Sequence, residues 1–138
     1  MLQRAKQSIE ALHRFFEGWI GGTIANTREH FGYLEIAFAG DFTMVTPTGT
    51  RQDREQVLGD LQKGWGAVPG IKIWIEDVVL LHEDGATVAA LYTERQSVNG
   101  ASNCRVSTAL FRKNAGGLSW LFVQETYCAS PRFTPGSH

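Results

Sequence analysis

Cysteine is scarce in this sequence, with only Cys104 and Cys128 among 138 residues. Two thiols are too few for the disulfide framework of a small secreted scaffold or for a four-cysteine zinc site. Long apolar runs are missing too, since none approaches the roughly 18 residues of a membrane helix. The first twelve residues carry Arg4, Lys6 and Glu10 where a signal peptide would need its apolar stretch, so a cytoplasmic setting is expected. In that setting both cysteines are expected to be reduced, small apolar core residues. Neither sign of charge dominates: thirteen basic against fourteen acidic residues leave −1, which advertises neither nucleic acid nor an anionic membrane. Repeats, low-complexity tracts and linkers are absent.

What the chain does have is an ordinary globular composition, 43% apolar and 11% aromatic, in a length suited to one core. Residues 1–129 are read as a single domain. Two of the four prolines fall in Ser130 to His138, which reads as a loose tail.

Leu2, Ala5, Ile9, Leu12, Phe16 and Trp19 follow steps of three and four, one apolar stripe of a helix. Asn26 or Thr27 can cap a second helix carrying Phe31, Leu34 and Phe38, closed by Gly40. Phe42 to Thr46 is a short β-rich run. Thr50 with Asp53 three residues on suggests a capped third helix with Val57, Leu58 and Leu61. Four strand-like segments follow: Ile71 to His82, Ala86 to Val98, Asn103 to Lys113 and Leu118 to Cys128. They are joined by turn-rich connections, as in an antiparallel meander. Helices first and a meander afterwards is α+β order, with no helical crossover between these strands to make parallel neighbours. A turn centred on Ala115 and Gly116 makes Lys113 face Leu118. It also brings Cys104 opposite Tyr127 or diagonally beside Cys128, close without a bond.

Several landmarks in this order resemble the nuclear transport factor 2-like superfamily, and within it SnoaL-like domains of unassigned function. They are Gly40 to Gly49, the strand Ile71 to Val78, Tyr92-Thr93-Glu94-Arg95-Gln96, Ser107 to Arg112, and Gln124-Glu125-Thr126. The resemblance implies a cone: a curled antiparallel sheet wrapped around three N-terminal helices, enclosing an apolar pocket, commonly paired through its convex face. It does not choose a function, because members include isomerases, dehydratases, cyclases and oligomerising domains.

Matching the steroid isomerases of this superfamily puts their base at Thr46 and their second acid at Ala109, with Phe15 or Phe16 where they carry a tyrosine. A threonine hydroxyl is no proton base near neutral pH and alanine donates nothing, so that chemistry is not expected. The arginines that line the pocket of the kinase association domain would fall near Thr93, Ala109 and Glu125, so an anion pocket is not expected either. Strand alternation puts Arg105, Ser107, Ala109 and Phe111 on one face, and the match at Ala109 makes it the inner one. For Ala86 to Val98 either Tyr92 and Glu94 or Leu91, Thr93 and Arg95 face the pocket, and the first register is preferred.

Glu94 and Glu125, with Tyr92, are therefore the candidate catalytic residues, because a carboxylate in a dry pocket gains a raised pKa. Phe15, Phe16, Trp19, Met44, Thr46, Arg105, Ser107, Ala109, Phe111 and Gln124 are the candidate pocket residues. His13 is read as a helix-surface residue, and no metal ligand set or cofactor is expected from the histidine spacing. The expected ligand is a small apolar or amphipathic molecule. Three readings stay open: a ligand-binding protein of unassigned function, an isomerase, dehydratase or cyclase using a pocket carboxylate, and an oligomerisation module without ligand. A homodimer is expected, since three helices cover one face of the sheet and apolar residues such as Val79, Leu81, Val88 and Ala90 fall on both sides of their strands.

Overall fold

A computed structural model describes residues 1–129, and the expected tail lies outside them. The order is α1 (Leu2–Gly21), α2 (Arg28–Ala37), β1 (Phe38–Val45), β2 (Arg51–Asp53), α3 (Arg54–Lys63), β3 (Lys72–Glu83), β4 (Thr87–Val98), β5 (Ala101–Asn114) and β6 (Gly117–Tyr127). Three helices pack on one six-stranded sheet, the α+β architecture expected.

The stripe of α1 is buried as its spacing requires, with Ala5, Ile9, Leu12 and Trp19 in the core. The helix stops at Gly22, whose φ of 79° is left-handed and whose Cβ, if it had one, would lie 3.1 Å from Gly66 Cα. Only glycine meets both demands. Thr27 caps α2 by accepting from the His30 N–H. That helix ends at Ala37 rather than running through Phe38 to Gly40. Phe38 is extended, pairs with Trp120 and stacks on Phe42 with ring centres 4.4 Å apart, so sheet packing overrides the helical spacing. The third cap also differs from expectation: Asp53, not Thr50, forms the capping box, reciprocally with Gln56.

The strand order is β2-β1-β6-β5-β4-β3. All ladders are antiparallel except β1 with β6, which is parallel. The expectation of a wholly antiparallel sheet fails at this ladder because the connection is α3 and the entire meander, which supplies the length a parallel return needs. At the other edge, Arg14 and Glu17 of α1 satisfy the free backbone of Ile73. Glu17 Oε2 accepts from its N–H at 2.7 Å and Arg14 donates to its carbonyl, blunting an edge strand.

Bulges set which side chains point inward. In β3, Ile73 and Ile75 face the core. Asp77, with φ of 56°, occupies the bulge, after which Val78 and Leu80 take the inward positions. Val79 consequently stays exposed on the outer face, Leu81 is exposed at a second bulge between Leu80 and His82, and Val88 and Ala90 are fully buried inside.

A further bulge, at Leu121, corrects the reading of the cysteines. Lys113 faces Leu118 as expected, but the extra residue advances the register, so Arg105 faces Tyr127 and Cys104 faces Cys128. The two are joined in a disulfide with Cα atoms 5.3 Å apart. The expected pair of reduced thiols is therefore overturned.

Candidate functional site

Along β4, Val88, Ala90, Tyr92 and Glu94 are buried in strict alternation, while Arg95 points outward to pair with Glu76. The preferred register is the observed one. Ladder pairing extends it into two rows on the concave face, Tyr92–Ser107–Glu125 and Glu94–Arg105–Tyr127. Helix α1 lays His13 against both.

His13 is buried, and its Nδ1 donates to the Ile9 carbonyl at 2.7 Å, because a carbonyl can only accept. That leaves Nε2 facing Glu94 Oε1 at 3.1 Å. The second carboxylate oxygen of Glu94 accepts from Gln96 at 2.6 Å. Across the row, Arg105 Nη1 donates to Glu125 Oε1 at 3.2 Å and its guanidinium lies 5.7 Å from the centre of the Tyr127 ring. Two polar atoms in this cluster, Arg105 Nε and Ser107 Oγ, are buried without a hydrogen-bond partner. Orphaned buried groups of this kind are uncommon and often mark a place for water or ligand.

The two carboxylates are driven apart electrostatically. Burial acts to raise the pKa of Glu94, but the His13 hydrogen bond and charge, Gln96 and Arg105 outweigh it and hold it below the usual value of 4.5. For Glu125, burial and the charge of Glu94 prevail over Arg105 and His13, and its pKa is raised. Tyr92 is pushed well above 10.0, by burial first and then by both glutamates. The surroundings thus shift the two carboxyls in opposite directions.

Beside the cluster lies a cavity of about 50 Å³, reached by Glu125, His13, Tyr92, Phe16, Met44 and Trp120 among others. It is room for water or one small group, against roughly 300–1,000 Å³ for an ordinary ligand pocket. Aromatic and aliphatic side chains together fill the rest of the core.

Of the expected site residues, Tyr92, Glu94, Glu125, Arg105 and Ser107 are brought together, and Phe16 and Met44 line the cavity. Phe15 and Trp19 are core instead. Phe15 stacks on Trp19 and Tyr33, and Trp19 donates to the Leu61 carbonyl at 2.7 Å. Ala109 and Phe111 are on the inner face but fully buried in the apolar core, away from the cavity. Thr46 is a turn residue whose hydroxyl accepts from the Thr50 N–H at 3.1 Å. Gln124 is exposed on the outer face, as it must be once its neighbour Glu125 points inward. His13 is the residue the sequence reading misplaced. It stands four residues after Ile9 and three before Phe16, on the buried stripe, and that spacing was the available signal. Gln96 and Tyr127 were also missed. Among the described residues no three His, Cys, Asp or Glu side chains gather as a metal would need, and no helix is long and apolar enough to cross a membrane.

A curled sheet over three helices with a polar cluster at one end of its concave face defines a nuclear transport factor 2-like domain. Within that class the chain belongs to the sucrose-6-phosphate phosphohydrolase C-terminal family, whose model matches residues 6–129. It is 29% identical over 120 residues to sucrose-phosphatase 1 of Nicotiana tabacum. The match takes in 82% of this chain but only 28% of that protein's length. Among solved structures it resembles a nuclear transport factor 2-like protein of unknown function from Pseudomonas aeruginosa. That likeness has a TM-score of 0.85 at 28% identity and covers 91% of this chain and 99% of the other. A putative dehydratase of the same fold from Streptomyces avermitilis, at 17% identity and TM-score 0.71, covers 94% and 96% of the two chains and shows the fold alone.

Proposed function

We propose that this domain binds the hydroxyl or carbonyl end of a small organic molecule at the His13–Glu94 and Arg105–Glu125 pairs. The observation that carries this is a small cavity reached by Glu125 and by His13, which in turn contacts the buried Glu94, with the unpartnered Arg105 Nε and Ser107 Oγ in the same cluster and the two carboxyls shifted in opposite pKa directions. About 50 Å³ admits one functional group, so the body of the ligand lies across the mouth against Phe16 and Met44. The tobacco relative is named for sucrose, and an edge of a sugar ring offers the donor and acceptor hydroxyls this cluster can meet. The opposed carboxyls also favour a second reading, in which Glu125 delivers a proton and the His13–Glu94 pair receives one, as isomerisation or dehydration requires.

The domain works as a homodimer in this reading, closed through the outer sheet face where Val79 and Leu81 are about half exposed beside Leu91, Leu110 and Phe122. Light scattering should give twice the 15.3 kDa chain mass, and Leu81→Arg should return it to monomer. For the site, amide NMR shifts would be followed while sucrose or cyclohexanone is added. Changes at Glu94, Arg105 and Glu125, weakened about tenfold in Glu125→Gln, are expected from the loss of one charge-assisted hydrogen bond. No change with either probe would leave the oligomerisation module as the better account.

A further inference from the structure

The last strand has a different neighbourhood at its two ends. From Trp120 to Gln124, β6 is held between β5 on one side and β1 on the other, but the β1 ladder finishes at Val45 opposite Gln124. Glu125 to Cys128 therefore continue as an overhang, paired through Tyr127 only with β5 among the described residues. That overhang carries half of the candidate site. Glu125 is its first residue, Tyr127 lies against the Arg105 guanidinium, and the strand partners of the segment, Arg105 and Ser107, are the two residues with unpartnered buried atoms. Its far end is stapled: the Cys128 N–H donates to the Cys104 carbonyl at 2.9 Å, and the side chains of the same two residues form the disulfide.

We propose that the Cys104–Cys128 disulfide is a redox lock on the acid half of the site, opened by a dithiol reductant. This rests on the site assignment above. The two cysteines line an open surface cleft of about 540 Å³ with Trp74, Arg95 and Ser97, so an attacking thiolate has access to the sulfurs. The exchange is balanced. One reductant thiolate attacks a sulfur of the disulfide and displaces the other as thiolate. The second reductant thiol then resolves the mixed disulfide. The reductant leaves as its own disulfide, and the protein gains two electrons and two protons as two thiols. With the staple gone, residues 125–128 are held, among the described residues, by one ladder at the end of their strand, where strands fray most readily. Fraying there carries Glu125 away from Arg105 and opens the small cavity to solvent, while His13–Glu94, on α1 and the interior strand β4, stays in place.

Amide hydrogen exchange on the whole chain, oxidised, reduced with dithiothreitol, and as the Cys104→Ser/Cys128→Ser double variant, tests the lock without any ligand. Exchange of the Glu125 to Cys128 amides should accelerate at least tenfold on reduction and in the double variant. The amides around Lys113 and Leu118, at the other end of the same hairpin, should stay within twofold. In parallel, carboxyl NMR should show the Glu125 titration move back toward 4.5 in the reduced form. Equal protection of 125–128 in all three forms, or two free thiols titrating in the folded, air-exposed protein, would overturn the lock. These outcomes are independent of whether sucrose or cyclohexanone binds, so failure of the ligand reading and failure of the lock are told apart.

Discussion

The concave face is built as two halves by the same strands with the same alternation, and the halves have opposite chemistry. Toward one end the rows are Val88, Ala90, Ala109, Phe111 and Trp120, all buried and apolar. Toward the other they are Tyr92, Glu94, Arg105, Ser107 and Glu125, of which all but Arg105 are equally buried. Burial does not distinguish them; hydrogen bonding does. The apolar half gains from packing alone, whereas the polar half must recover desolvation through the His13–Glu94 and Arg105–Glu125 contacts and leaves two atoms unpaired. One half of the face therefore supplies stability by packing, and the other is the half the proposed ligand would meet.

Mutations should separate the halves, beginning with the largest effect. Phe111→Ala removes a fully buried ring packed 4.6 Å from Trp120 and should cost about 3–5 kcal/mol in urea unfolding while leaving the carboxyl titrations unmoved. A loss under about 1 kcal/mol would mean this half is not the stabilising one. Removing the disulfide, which closes a separation of 24 residues, should cost about 3 kcal/mol by restoring unfolded-state freedom.

The polar half should respond in the slope of stability against pH. Glu94 has a folded pKa below its ordinary 4.5, so its contribution is present above 4.5 and lost as pH falls through the folded value. Glu125 has a raised pKa, so the folded state holds its proton longer and stability declines as pH rises from 4.5 through the folded value. Glu94→Gln should flatten the acid limb and cost about 1–2 kcal/mol at neutral pH. Glu125→Gln should flatten the decline above 4.5. Thermal melts across pH check both, and matching slopes in the two variants would erase the distinction between the carboxyls. The smallest effect is expected outside the cone: Gln124→Ala, next to Glu125 in sequence but on the opposite face, should change stability by less than about 0.5 kcal/mol and leave ligand shifts intact.

Much of this was legible in the chain of letters. The stripe of α1, a cap at Asn26 or Thr27, the meander and its turns, and the sets of residues that share a strand face follow from local spacing and turn signals, which any short window contains. That Arg105 and Ser107 face inward was implied by the resemblance at Ala109, and Tyr92 with Glu94 was the preferred of two registers. The strand members of the polar cluster were therefore legible as shared faces, and as an inward set only through the resemblance. The cluster's completion was not. That His13 meets Glu94, 81 positions away, depends on how the curled sheet sets α1 across β4. The parallel return of β6 beside β1 depends on the whole meander closing back, and Phe38 became strand for that reason. One bulge at Leu121 moved Cys128 from diagonal to directly opposite Cys104. Local spacing determines which face a side chain takes. Which rows finally stand opposite one another is decided by bulges and curl, whose energies come from non-local packing that no window of sequence contains.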